Sequence, residues 1–161
     1  MGEAPIQEDE DLVRSTLHSY CRCLDEHDLD RLMDEVYTTD AVEDRRRGEP
    51  IRGHEEIRAY FARANDILEA TVHLLSNIEV SVDGDQATAY SRVTAYHWTR
   101  ATTQLGAARP ADFVLLASYD DRLRRTEHGW RISHRRLTAL GPGGVAAGEL
   151  PDAFRGFGGK T

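Results

Sequence analysis

Ile78-Glu79-Val80-Ser81-Val82-Asp83-Gly84-Asp85-Gln86-Ala87-Thr88-Ala89-Tyr90 is the stretch whose reading decides the fold. Apolar and polar residues alternate from Ile78 to Val82, the mark of a half-buried strand. Asp83-Gly84-Asp85 is a strong hairpin turn. From Gln86 to Arg100 the chain is again a strand, rich in β-branched and aromatic residues. Just upstream, Val72-His73-Leu74-Leu75 alternates in the same way. Downstream, Ala101 to Pro110 reads as a loop and Phe113 to Arg125 as a long strand. Thr126-Glu127-His128-Gly129 then turns the chain into a last strand, Trp130 to Leu140.

Before Ala70 the period is different. Leu12, Val13, Thr16, Leu17, Tyr20, Cys21 and Leu24 recur at three- and four-residue steps, which predicts an amphipathic helix over about Glu8 to His27. Asp28 reads as the N-cap of a second, short helix over Leu29 to Tyr37. Thr38-Thr39-Asp40-Ala41-Val42 leads into a short strand, Gly48 to Gly53 is a turn region, and a third helix is predicted over about His54 to Glu69. Helices first and antiparallel strands afterwards predict an α+β fold with the helices on one face of a curved sheet. Residues 1–8 read as a flexible lead, 9–140 as one domain, and 141–161 as a glycine-rich tail. Leu150, Phe154 and Phe157 of that tail are expected either to cover an apolar opening or to stay unstructured.

The 161 residues suffice for a single domain with a sizeable core. With 40% hydrophobic and 30% charged residues the composition is that of a soluble globular chain. A formal net charge of -8 argues against general nucleic-acid or anionic-membrane binding. Arg45-Arg46-Arg47 is flanked by Glu43, Asp44 and Glu49, and reads as a solvated loop or ion-pair cluster, or else as an anion contact. No run approaches the roughly 20 apolar residues of a membrane span, and Met1 to Asp11 lacks a signal-peptide pattern. The expected location is cytoplasmic. Cys21 and Cys23 point in different directions on a helix, so both are expected as reduced structural thiols.

His73 and Asp25 are the pair with the most chemical content. A carboxylate that fixes an imidazole tautomer and stabilises its protonated form makes a general base. Asp25 lies at a helix C-terminus, where a carboxylate opposes the helix dipole, a poor place for a purely structural acid. On the residues alone, a buried histidine satisfied by a backbone carbonyl also accounts for His73. Tyr20 shares the helix face of Thr16, Leu17 and Leu24. It is either core packing or a hydroxyl donor to a developing oxyanion. His97 shares a strand face with Ala89, Ser91, Val93 and Ala95, which suits a pocket wall or a strand-end rim. The other face carries Tyr90, Tyr96 and Trp98 and suits a subunit interface. Arg135 alternates with Ser133 and Leu137, as an ion-pair partner or a substrate contact. No metal site is expected, because His-x3-His, Cys-x2-Cys and dense carboxylate clusters are missing from the sequence. No Gly-x-Gly-x-x-Gly joins a strand to a helix, so no nucleotide cofactor is expected.

Several segments together carry a resemblance. They are Tyr20-x4-Asp25-x2-Asp28 with Asp30-Arg31-Leu32, Tyr37-Thr38-Thr39-Asp40-Ala41, Gly53 with Ile57, Val80-x2-Asp83-Gly84-Asp85-x-Ala87, and Gly129-Trp130-Arg131-Ile132-x2-Arg135. In this order the chain resembles the SnoaL-like branch of the nuclear-transport-factor-two-like superfamily over roughly residues 9–140. The resemblance implies a cone-shaped α+β barrel whose helices and bent, mostly antiparallel sheet enclose a deep pocket. It also implies that Asp25 and His73 correspond to the aspartate–histidine dyad of that superfamily's dehydratases and dehydrochlorinase. Tyr20 and His97 then take the places of its auxiliary tyrosine and second histidine, and Arg135 that of an arginine on the final strand. Tyr119 is the nearest polar candidate for a further substrate contact.

The function so implied is a cofactor-independent acid–base enzyme, a dehydratase or related isomerase or cyclase. Its substrate would be a small apolar oxygenated metabolite of bacterial secondary metabolism. Because one fold hosts many chemistries, a non-catalytic ligand-binding or assembly domain is the alternative. A ring-dioxygenase small subunit is a third reading, disfavoured because no partner-docking insertion is evident. A homo-oligomer, dimer or trimer, is expected through the face bearing Tyr90, Tyr96 and Trp98, since a monomer rarely exposes such a patch.

Overall fold

The computed structural model describes residues 6–45, 49–101 and 106–141. Helix α1 (Ile6–Asp25) leads into a single turn, α2 (Leu29–Arg31), which passes directly into a π-helical segment, Leu32–Val36. Strand β1 (Tyr37–Asp44) and the two-residue β2 (Ile51–Arg52) precede α3 (Gly53–Ile67). Four long strands complete the fold: β3 (Leu68–Asp83), β4 (Gln86–Thr99), β5 (Phe113–Thr126) and β6 (Gly129–Ala139). All six form one sheet in the order β2-β1-β6-β5-β4-β3. Every pairing is antiparallel except β1 with β6, which is parallel. This is the α+β architecture that the sequence predicts.

Several boundaries differ from the sequence reading. The first helix stops at Asp25, because His27 adopts a left-handed conformation (φ 57°). The Asp28 N–H bonds back to the Cys23 carbonyl at 2.8 Å and the His27 N–H to the Leu24 carbonyl at 3.2 Å, the two bonds of a Schellman ending. Asp28 caps the next turn as expected, its side chain accepting from the Arg31 N–H at 3.0 Å. The predicted second helix instead widens into the π-helical segment, which lets Leu32, Met33 and Val36 all reach the core. The two apolar runs around Ser76 are one strand, bent where Asn77 takes φ 50° and the register with β4 slips between Ser76 and Glu79. Such a bulge sharpens local twist and curls the sheet. Gly53 opens α3 at φ +72°, with the Thr39 carbonyl oxygen 3.4 Å from where a Cβ would sit. Arg46, Arg47 and the tail with Leu150, Phe154 and Phe157 lie outside the described residues.

The core lies between α1, the π-helical segment and the concave face of the sheet. Ala87, Ala89, Val93 and Ala95 of β4 point inward, and their small side chains admit the larger Leu17, Tyr20 and Leu24 of α1. The start of α1 is pinned from outside the core. Arg125 of β5 donates to both carboxylate oxygens of Asp9 (2.7 and 2.6 Å) while lying over the ring of buried Trp130, whose indole N–H donates to Asp9 at 3.2 Å. With the start and the last turn of α1 both fixed, Asp25 is held against β3.

Candidate active site

Asp25 is the last residue of α1, and its carboxylate faces the beginning of β3. There it accepts three hydrogen bonds: from the Thr71 hydroxyl to Oδ1 at 2.8 Å, from the His73 backbone N–H to Oδ2 at 3.0 Å, and from the His73 Nδ1 to Oδ1 at 2.6 Å. An ionised carboxylate accepts only, so this arrangement sets Nδ1 as the protonated ring nitrogen. The lone pair is then on Nε2. The His73 side chain is 7% exposed and forms part of the wall of a cavity between α1, α3 and the sheet.

That cavity encloses about 50 Å³ of free space, room for one or two waters. Its walls are largely apolar or aromatic: Leu24, Tyr60, Phe61, Leu68, Leu115, Tyr119 and Leu137. The polar groups that converge on it are Tyr20, His73, His97, Thr71, Asn65 and Arg45. An apolar pocket with a few converging polar groups is the usual form of a small-molecule site. Wider grooves, of about 460 and 720 Å³, lie elsewhere on the surface. The larger holds a His128–Glu127 pair at 3.3 Å, but both side chains stand in open solvent, so no buried base with an orienting carboxylate is formed there.

His97 reaches the cavity from β4, opposite Thr71 in the β3–β4 register. Its ring stacks on Phe113 (centroids 4.3 Å apart, planes at 5°) and meets His73 edge-on at 5.9 Å. Burial, and secondarily the charge of His73, push its pKa down to about 3. His97 is therefore neutral under ordinary conditions, and a neutral imidazole can still donate a hydrogen bond to a developing oxyanion. It is buried, which excludes the rim position left open by the sequence.

Tyr20 is fully buried, with ring edges of Tyr37, Phe61 and Tyr119 around it. Burial, and then the nearby Glu43, raise its pKa, which keeps the phenol as an O–H donor. Tyr119 lines the same cavity, and burial raises its hydroxyl well above the ordinary value too. Arg135 is placed differently. Its guanidinium is wholly buried, pairs bidentately with Asp121 (2.7 and 2.7 Å), and lies against the rings of both Tyr20 (3.9 Å) and Tyr119 (4.0 Å). It stands behind the two tyrosines and is not among the cavity-lining residues.

Arg45, for which the sequence left both a solvated setting and an anion contact open, is in the cavity wall. Ala41, Glu43 and Arg45 continue one face of β1 at two-residue steps past the end of the strand, and all three turn inward. The period was legible, but the run of three arginines obscured it. The Arg45 side chain, 12% exposed, approaches Glu43 at 3.2 Å, lies over the rings of Tyr60 and Phe61, and comes within 3.5 Å of the Tyr20 hydroxyl.

The model of the SnoaL-like domain matches residues 6–136. An uncharacterised protein of Mycobacterium tuberculosis is 32% identical over 126 residues, spanning 76% of this chain and 80% of that one. A candidate aromatic ring hydroxylase from Novosphingobium aromaticivorans superposes with a TM-score of 0.74 at 25% identity, over 89% of this chain and 95% of that one. A candidate scytalone dehydratase from the same species reaches a TM-score of 0.74 at 17% identity, over 90% and 91% of the two chains, a likeness of fold. The family match covers the helices, the bent β3 and the strands that build the cavity, and the chain belongs to the SnoaL-like domain family.

Proposed function

We propose that the chain is an acid–base enzyme of the dehydratase or isomerase type, with His73 as general base and Asp25 as its orienting partner. The observation that carries this reading is the 2.6 Å contact between His73 Nδ1 and Asp25, with the rest of the imidazole in the cavity wall. Nε2 takes a proton from a carbon next to a carbonyl. The C–H electrons move into a new C=C bond and the carbonyl oxygen becomes the enolate oxygen. Asp25 stabilises the imidazolium, while the Tyr20 hydroxyl donates to that oxygen and the neutral His97 ring walls the site beside His73. In an elimination, the enolate electrons then expel hydroxide from the neighbouring carbon. The imidazolium returns its proton and water leaves. In an isomerisation the same proton is delivered to another carbon.

The elimination branch draws support from the scytalone dehydratase name carried by one structural relative. A small, apolar, oxygenated molecule matches the aromatic lining, and the cavity must widen beyond its present volume of about 50 Å³ to admit one. A panel of hydroxylated polyketide-like and terpenoid compounds, incubated with wild-type protein and with Asp25→Asn, tests it. Loss of water from a member of the panel with wild type alone is the expected result. Equal turnover by both proteins would remove the dyad from the chemistry, whereas binding of panel members with turnover of none would favour a ligand-binding domain on the same fold.

A further inference from the structure

We infer that the cavity takes a small carboxylate, and that Arg45 is the residue that selects for its charge. This rests on the cavity being the substrate site. Among the described residues, Arg45 is the only lining side chain with a fixed charge. Glu43, its nearest acid, also accepts the Tyr37 hydroxyl, so that carboxylate is shared. Arg45 meets it side-on, through Nε at 3.2 Å. The forked end of the guanidinium points instead towards the Tyr20 hydroxyl, 3.5 Å from one of its nitrogens and at the limit of a hydrogen bond.

A guanidinium fork in an apolar wall is costly unless its donors are used. A carboxylate matches the fork with two parallel, charge-assisted hydrogen bonds, which a neutral carbonyl does not. The guanidinium carbon packs against the rings of Tyr60 and Phe61 (4.6 and 5.2 Å to their centroids), so it is set in place before a ligand arrives. The chain's net charge of -8 gives no general attraction for anions, so selectivity for one would be local to this arginine. His73 lines the same space, with Asp25 behind it, so the carboxylate end of the ligand lies at Arg45 and its reactive end at the imidazole.

Titration calorimetry with benzoate against benzamide, and with the smaller crotonate against crotonamide, tests this without any turnover. In at least one pair the carboxylate should bind wild type about tenfold or more tightly than its amide, a difference of about 1.4 kcal/mol. Arg45→Gln should abolish that preference, Arg45→Lys should keep part of it, and His73→Ala should leave it intact. Circular dichroism of each variant controls for folding. Equal binding of acid and amide in both pairs, no saturable binding of either acid up to about 10 mM, or an undiminished preference in folded Arg45→Gln would each overturn the inference. Retained charge selectivity with no turnover of any compound would instead count against the catalytic reading alone.

Discussion

Asp25 grips His73 twice, through the backbone N–H at 3.0 Å and through ring Nδ1 at 2.6 Å. The first bond fixes where β3 starts relative to the end of α1, and the second fixes the imidazole tautomer. A single carboxylate thus couples the fold to the chemistry. Asp25→Asn should preserve the fold and lose the tautomer. The amide has an oxygen on one side only, and turning its N–H2 to the His73 backbone N–H would set two fixed donors against each other, so the N–H2 faces the ring, whose tautomer can change. Facing the ring, it forces Nδ1 to accept and places the hydrogen on Nε2, away from base duty. We expect turnover to fall about 10²–10⁴-fold, with nitrogen-15 NMR reporting the Nε2–H tautomer. An unchanged Nδ1–H tautomer would refute the argument.

Tyr20→Phe should cost less than loss of the base, at most about 3–4 kcal/mol in the barrier, because His97 and Arg45 also face the cavity. The check is kcat of the variant against that of His73→Ala on the same substrate. A larger loss in Tyr20→Phe would make the tyrosine the principal acid.

His97 makes a prediction about acid stability. Its folded pKa of about 3 lies below the ~6.5 of a free histidine, so as pH falls the unfolded chain takes up the proton first. The stability conferred by neutral His97 is complete above about pH 6.5 and is lost progressively towards about pH 3. His97→Gln should therefore flatten the fall in urea-unfolding free energy between about pH 7 and 4.5. An equal fall in wild type and variant would show that other groups govern it.

Asp121→Asn should destabilise the fold by about 3–5 kcal/mol, because it leaves the fully buried Arg135 guanidinium without its counter-charge. Replacing both residues with apolar ones of similar volume should cost much less. A neutral effect of the single change in chemical denaturation would show that the pair contributes little.

Much of this was legible in the sequence, and for physical reasons. The Asp83-Gly84-Asp85 turn and the alternation around it specify the β3–β4 hairpin locally, and Asp28 announces its cap. The direction of Asp25 and His73 follows from one helix end and one strand parity. The bulge at Asn77 and the π-helical segment Leu32–Val36 were not legible. Both arise from fitting long elements to a closed core, a tertiary demand that local pattern does not encode. Arg45 and Arg135 show a further limit. Sequence gives an arginine's position on a strand, but only the packed structure assigns one to the cavity and the other to Asp121 behind two tyrosines.

We propose that the outer sheet face pairs two copies of the chain. Val72 and Leu74 are 42% and 54% exposed beside Tyr96 and Trp98, whose rings stack at 6.5 Å, an apolar surface suited to a two-fold interface. Sedimentation equilibrium at about micromolar concentration should give the dimer mass, with Leu74→Glu shifting it towards monomer. A wild-type monomer would contradict the proposal.

The most direct measurement is the turnover of His73→Ala on the first compound that wild type converts. The variant should retain its circular dichroism spectrum and its affinity for that compound, while kcat falls by at least about a hundredfold. A folded His73→Ala that converts the compound at the wild-type rate would make the Asp25–His73 pair a structural contact and contradict its assignment as the general base.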